Sequence, residues 1–542
     1  MTPGTRARIS PATLTAVTAL ALAAIVFGRH LHGEFVWDDY YLVEKNPLLA
    51  SPSGWRALLT TDLWEGAGFE GSRLYHPLPM LSLWAQVRLT GLSIVSLRSV
   101  NVGIHGLNVW LFYRLLARSS FQPVVASATS LLFAVHPLVV EPAMWLTGRH
   151  DSMAVLLGLA GLHAVPALAT RNARAGALAC AATAGCAFAS KEPYIALPAL
   201  YGGYAILIAR MPLGRALAGA AAGGAGVGAV LLIRWHLGIT TVGDLPAMTI
   251  GDRIRTYGTL VGVYGGDALS LSAGPTLRAY APWKSSFSLL ATLTVAALLA
   301  AGLQRWRRGS VVGARVAFGS LWFALSLMPH VVTIATLGVF ANRYGYFPLL
   351  GVLFAAAALI DRLFAVASVS LRRILAIALF CPAAICVPVS SAMASLWTSE
   401  IDLFGADFAQ DPDDPQVLYF LGCAIERKAG CEAALTYFRK SAELGPKLAR
   451  ASQNLAGCLL RTGKGADAVT PAENAARLAP SEANLYNLAL ALEAAGRIDD
   501  AVPIAETLRH AFPTEASFAE LFARLKEERP ANDRAPVSHE VQ

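Results

Sequence analysis

The sequence predicts an all-α protein: a polytopic membrane helical domain followed by a helical solenoid. Three observations predict it. Of the 542 residues, 55% are hydrophobic and only 15% charged, against roughly 25% charged in ordinary soluble domains, and the mean hydropathy is +0.50. A soluble globular enzyme is thereby excluded. About eleven apolar stretches are long enough to cross roughly 30 Å of hydrocarbon. Beyond residue 396 these stretches end, and residues recur instead with a period near 34.

In chain order, spans are predicted near 11–28, 99–117, 123–141, 151–169, 174–190, 194–209, 216–235, 285–303, 313–330, 345–361 and 373–392. Arg6/Arg8, Arg114/Arg118, Arg171/Arg174, Arg210/Arg215, Arg305/Arg307/Arg308 and Arg362/Arg372/Arg373 fall in alternate gaps, which by the positive-inside rule makes those gaps and the N-terminus cytoplasmic. The multi-pass domain therefore belongs in an inner or plasma membrane, with the C-terminal region outside. Residues 1–28 read as an uncleaved first span, because no small-x-small site precedes Gly28-Arg29-His30. Two loops on the outer side, roughly 30–98 and 236–284, are long enough to have a task.

The C-terminal region repeats. Pro412, Pro446, Pro480 and Pro513 are spaced by 34, 34 and 33, and Gly430, Gly463 and Gly496 by 33. Leu421/Leu455/Leu488 and Ala434/Ala468/Ala501 follow the same period. This pattern resembles the tetratricopeptide repeat, a helical hairpin that must stack on neighbours to bury its apolar face. Domain boundaries follow: a transmembrane domain at 1–396, repeats at 397–530, and a disordered tail at 531–542.

The net charge of +8 is not a nucleic-acid footprint. The excess of Lys and Arg lies before Trp397, between apolar runs where cytoplasmic anchors belong, whereas acidic residues predominate after it. The seven cysteines show no metal-ligand spacing. Cys423, Cys431 and Cys458 lie outside the apolar runs and leave room for one disulfide if that region faces an oxidising compartment.

Candidate chemistry gathers on one side of the membrane. Asp38 and Asp39 follow Phe35-Val36-Trp37 about a dozen residues after the first span, where neighbouring carboxylates beside apolar surface have separated pKa values and one can take a proton. Asn101 and His105 share a helical turn; His136 and Glu141 end the third span; Arg149, His150 and Asp151 begin the fourth; Lys191 and Glu192 end the fifth; Asn342 and Arg343 precede the tenth. Ionisable groups at membrane depth are costly and usually paired or functional. Lys191, Arg343 or Arg149 suit a phosphate. A divalent metal held by the two aspartates stays open, since it needs further oxygen ligands that the sequence does not assign.

These segments resemble the GT-C superfamily of membrane glycosyltransferases with C-terminal tetratricopeptide repeats, the transmembrane O-mannosyltransferases and their bacterial relatives. The resemblance is carried in order by Phe35-Val36-Trp37-Asp38-Asp39 with Asn46; Asn101-Val102 with His105 and Asn108; Leu132-Phe133-Ala134-Val135-His136-Pro137 with Glu141; Gly148-Arg149 with Asp151; Ser190-Lys191-Glu192; Asn342-Arg343-Tyr344 with Tyr346-Phe347-Pro348; and Trp397 with Leu403. It implies transfer of a sugar, mannose in the best-known members, from a polyprenyl-phosphate carrier to a protein hydroxyl on the extracytoplasmic side. It also implies Asp38 and Asp39 as the catalytic pair and Lys191, Glu192, Arg149, Asp151, Arg343, His105, His136, Glu141 and His76 as donor-binding residues. No cofactor beyond the lipid-linked sugar phosphate is implied, and the repeats would present the protein or peptide acceptor. His76 and His150 depart from the pattern, standing where relatives have Arg and a small residue. Two other classes compete: a membrane-anchored scaffold without catalysis, and a transporter or lipid-linked glycan ligase or polymerase.

Overall fold

A computed structural model describes residues 10–69, 72–239, 248–274, 276–279, 285–337 and 339–528; Arg6, Arg8 and the tail at 531–542 lie outside the described residues. Contacts divide the chain into two compact units, 1–400 and 401–542.

The first unit is helical apart from one short ribbon. It runs α1 (Pro11–Phe27), α2 (Pro47–Ala50), α3 (Gly54–Leu58), α4 (Pro77–Thr90), α5 (Ile94–Arg118), α6 (Pro123–Val135), α7 (Val140–Met144), α8 (Arg149–Ala164), α9 (Ala173–Phe188), α10 (Leu197–Leu207) and α11 (Leu213–His236). It continues with α12 (Ile250–Ser270), β1 (Leu277–Ala279), α13 (Ser285–Arg307), α14 (Val311–Leu327), α15 (His330–Leu337), β2 (Val339–Ala341), α16 (Tyr346–Val366), α17 (Val369–Ala378) and α18 (Cys381–Leu396). β1 pairs antiparallel with β2, Arg278 opposite Phe340.

The protein is a multi-pass membrane protein. Among the described residues, seven helices are long and apolar enough to span: Pro11–His30, Arg149–Ala169, Leu213–His236, Leu289–Arg307, Val311–Ile334, Asn342–Val366 and Val369–Leu396. Of the other four sequence-predicted spans, one passes as a bent pair, which makes eight, and three are not apolar helices of that length, each for a physical reason. The 123–141 stretch is α6 and α7 joined with a 57° bend, because His136 is extended ahead of Pro137 and the residue before a proline avoids the helical region. The 99–117 stretch lies in α5, which has 25 residues but carries Asn101, His105 and Asn108. The stretches at 174–190 and 194–209 form α9 and α10, of 16 and 11 residues.

Between α1 and α5, the long first connection folds on its own apolar cluster. Leu42, Val43, Leu49, Leu58 and Leu63 pack with Met80 and Leu83 of α4, Leu97 of α5 and Leu146. That cluster seats the acidic motif against the loop between α7 and α8.

After Glu400, the last residue of the first unit and the first of α19 (Glu400–Gln410), the second unit comprises the rest of α19, α20 (Pro415–Ala429), α21 (Cys431–Leu444), α22 (Ala449–Arg461), α23 (Val469–Leu478), α24 (Glu482–Ala494), α25 (Ile498–Ala511) and α26 (Ala516–Glu528). From α20 to α25 it is three helical hairpins. Gly430, Gly463 and Gly496 turn each hairpin with φ between +73° and +83°, a region glycine enters without steric cost. Ala434, Ala468 and Ala501 are fully buried where the helices meet. Cys431 and Cys458 are disulfide-bonded; Cys423 is not part of that bridge and accepts from Asn454 Nδ2 at 3.3 Å. Glu426 approaches the two bridged sulfurs closely enough to suggest a metal site, but Arg461 donates to Cys431, Cys458 and Glu426, which fills that position with a cation of the chain.

Candidate active site

The acidic pair is split by its surroundings. Asp39 is fully buried; its Oδ1 accepts the Thr147 N–H at 3.0 Å and its Oδ2 the Leu146 N–H at 3.2 Å. Burial drives its pKa up to about 7, against the opposing pull of those amides and the charge of Arg98. Asp38 is half-buried, and its carbonyl accepts the N–H groups of Tyr41 and Leu42 as the chain turns.

Trp37 links this motif to the basic residues. Its ring stacks on Trp145 with centroids 5.0 Å apart, and the Arg343 guanidinium lies over both rings, at 5.2 and 4.8 Å. Arg343 is paired with the buried Glu141 through its side chain, and its backbone N–H donates to Glu141 Oε2 at 3.0 Å. The bend between α6 and α7 is what brings Glu141 there.

Next to this lies a second group. Lys191 donates to Asp151 Oδ2 at 2.7 Å. Glu192 receives Arg234 at 3.1 Å on one oxygen and lies 2.6 Å from His76 Nε2 on the other. Burial opposes the Glu192 charge, but His76 and Arg234 outweigh it and hold its pKa at about 2. The His76 ring meets His150 edge-on at 4.9 Å, and His330 stacks on Tyr344 at 4.6 Å. His150 and His330 both lie within electrostatic reach of Lys191 and Arg343.

Four nitrogens in this neighbourhood are buried and have no hydrogen-bond partner among the described residues: His76 Nδ1, His150 Nε2, His330 Nδ1 and Arg343 Nε. Buried polar atoms are nearly always satisfied, so these four nitrogens near Lys191 and Arg343 leave hydrogen-bonding capacity in the region.

Glu141, Asp151, Lys191, Glu192, Arg343 and His76 are thus linked through ion pairs or shared electrostatic neighbours, and Trp37 joins the turn that carries Asp38 and Asp39 to Arg343. Three other sequence candidates have different work. Arg149 donates to Asn101 at 2.6 Å, Gln86 at 2.7 Å, the Leu97 carbonyl at 2.9 Å and Ser82 at 3.3 Å, so its guanidinium ties α8 to α4 and α5. The two ring nitrogens of His105 are met by the Tyr346 hydroxyl and the Ala134 carbonyl. His136 accepts the Leu138 N–H and caps the bend.

Arg98 was not singled out by sequence. Its guanidinium donates to five backbone carbonyls, those of His30, His32, Glu34, Met144 and Trp397, and so staples the acidic loop. A signal was present: Arg98, Asn101, His105 and Asn108 lie three, four and three residues apart, which puts polar groups on one helix face. Arg234 and His330 carry no comparable pattern.

No protein-family model matches the chain. Over 160 residues, 28% of this chain, it is 35% identical to the protein O-mannosyl-transferase TMTC1 of Mus musculus. It is 33% identical over 156 residues to TMTC1 of Homo sapiens and 31% identical over 136 residues to Tmtc1 of Drosophila melanogaster. The matched stretches cover 17%, 18% and 16% of those proteins. The chain therefore has protein O-mannosyl-transferases among its relatives and spans less than a fifth of their length in common with them.

Proposed function

We propose that the protein is a membrane glycosyltransferase that moves a sugar, mannose, from a polyprenyl-phosphate carrier to a protein hydroxyl on the extracytoplasmic side. The observation that carries this reading is the set of orphan nitrogens around Lys191 and Arg343, beside a loop with a half-buried carboxylate. Arg343 Nε can only donate, and imidazole nitrogens can donate when protonated at that position. An anionic phosphate is the group that all four can serve together with the Lys191 ammonium.

In this reading Asp38 is the base. Asp39 has both oxygens engaged by backbone amides and serves to anchor the loop. The acceptor hydroxyl gives its proton to Asp38 as its oxygen bonds to the sugar's anomeric carbon. The bond from that carbon to the phosphate oxygen breaks, and the phosphate leaves with the electron pair, stabilised by Lys191, Arg343 and the histidines. Glu141, Asp151 and Glu192 hold the cations in place. The names of the relatives support mannose as the sugar and protein as the acceptor. The helical hairpins of the second unit offer a surface for that acceptor, and the Cys431–Cys458 disulfide supports an oxidising compartment for them.

The test is transfer from radiolabelled polyprenyl-phosphate mannose to Ser/Thr-rich peptides by the full-length protein in nanodiscs, with and without EDTA. Turnover that vanishes in Asp38→Asn and falls in Arg343→Gln is the expected result. A folded protein that turns over no carrier-linked sugar would leave a membrane-anchored scaffold as the better account.

A further inference from the structure

Trp37, immediately before the acidic pair, has φ of 60°. A bulky side chain rarely enters that left-handed region, and such a conformation persists only where the surroundings over-determine it. Three contacts do so here. The ring stacks on Trp145, the Trp37 carbonyl accepts the Tyr40 N–H at 3.3 Å, and the Trp37 N–H donates to Glu400 Oε1 at 3.1 Å across 363 positions of sequence.

Glu400 is itself fixed. It is buried; its N–H donates to Glu34 Oε1 at 2.9 Å, and the Glu34 N–H donates to the Thr398 carbonyl at 3.0 Å. Arg98 joins the carbonyls of Glu34 and Trp397 from the other side. At Gly33 there is no room for a side chain, since a Cβ would stand 2.5 Å from the Thr398 carbonyl oxygen and 2.9 Å from Arg98 Nη1. Segments 33–37 and 397–400 thus form a clasp, and the Glu400 side chain reaches the residue adjoining Asp38.

We propose that Glu400 is a positioning residue for the acidic pair: by accepting the Trp37 N–H it holds the left-handed turn from which Asp38 leads to the reacting groups and Asp39 to the Leu146 and Thr147 amides. The inference rests on the reading of Asp38 as the base. A glutamate suits the task because its side chain reaches across from the second segment and its carboxyl oxygen accepts the amide N–H. Glu400 touches no substrate in this scheme, so its loss acts on the rate through geometry, where a displacement of about 1 Å costs on the order of 100-fold.

The experiment uses the full chain in nanodiscs with Glu400→Gln, Glu400→Asp and Glu400→Ala, and two readouts. Hydrogen exchange of the peptide containing the Trp37 amide, without substrate, reports the hydrogen bond directly. Steady-state transfer reports the consequence. Glu400→Gln keeps an acceptor oxygen and is expected to hold slow exchange and kcat within about threefold. Glu400→Ala is expected to speed exchange at least tenfold and to lower kcat by roughly 10- to 100-fold, with donor KM within about threefold. Where Glu400→Ala does not accumulate, Glu400→Asp, one methylene short, serves in its place with the same expected direction. Equal exchange in wild type and Glu400→Ala or Glu400→Asp, or wild-type kcat in either, overturns the proposal. Should the wild type transfer no sugar, the function reading fails, while the exchange comparison still decides whether Glu400 holds the turn.

Discussion

Asp38 and Asp39 adjoin in sequence and part in the fold, one half-buried and one sealed against two backbone amides. Two predictions separate them. Asp38→Asn removes the proposed proton acceptor and should cut turnover by about 100-fold or more, the lower bound for losing a general base, while leaving the melting temperature unchanged. Asp39→Asn turns an amide group toward an N–H donor and should destabilise the protein by about 1–3 kcal/mol, read as a lower melting temperature. The second effect depends on pH. With its pKa raised from 3.8 to about 7 by burial, Asp39 holds a proton in the folded state that the unfolded chain has lost, so its stabilising contribution is full below pH 4 and disappears as pH rises through 7. Groups that are the same in both proteins cancel in the difference, and Glu192, with its pKa at about 2, is charged throughout. The stability gap between wild type and Asp39→Asn should therefore narrow between pH 5 and 8; a constant gap would mean that Asp39 is charged in the folded state over the whole range. The sequence displayed the acidic pair and its membrane-side context. It could not display the division of labour, which is decided by Leu146 and Thr147, more than a hundred residues away.

At the scale of elements, the site depends on helices brought close by glycine. A Cβ at Gly226 in α11 would stand 1.9 Å from the Ala181 carbonyl oxygen in α9, and one at Gly185 in α9 would stand 2.8 Å from the Gly226 oxygen; small residues let membrane helices approach in this way. This contact has a functional reach. Lys191 and Glu192 follow α9, and Arg234, which holds Glu192, is two turns beyond Gly226 in α11. Gly226→Ala should cost about 1–3 kcal/mol through overpacking and lower turnover with it. Gly228→Ala is the control, since nothing lies within 4 Å of a Cβ there, and it should leave melting temperature and turnover unchanged. Parity between the two variants would show that α9 and α11 adjust freely. Hydropathy made most of these helices legible, because span length and apolarity are local properties. The bend at His136 and the polar face of α5 were written as local patterns too, Pro137 in one and the spacing of Arg98, Asn101, His105 and Asn108 in the other. Which carboxylate meets which cation was not, because Glu141–Arg343 and Asp151–Lys191 join residues 202 and 40 positions apart.

For the whole molecule, the clasp between 33–37 and 397–400 has a topological consequence: the chain leaves the membrane unit at the acidic loop. The 34-residue period made the helical hairpins readable in advance, since each repeat satisfies the same packing rule, but it said nothing of where the first of them is tethered. Because Glu400 and the acidic motif are bonded to one another, the end of the membrane unit and Asp38 share one side of the membrane, and the proposed extracytoplasmic orientation would put the Cys431–Cys458 disulfide in an oxidising compartment. Intact cells treated with a membrane-impermeant phosphine and then an impermeant maleimide should therefore gain label at Cys431 and Cys458 only after reduction, and the gain should vanish in Cys431→Ser/Cys458→Ser. Cys423, a partly exposed cysteine outside the disulfide, should take label without reduction and serves as the internal standard. Labelling of all three only after lysis would put the hairpins, and with them Asp38, on the cytoplasmic side, where an extracytoplasmic sugar transfer has no acceptor, and would sink the proposed orientation together with the reaction that depends on it.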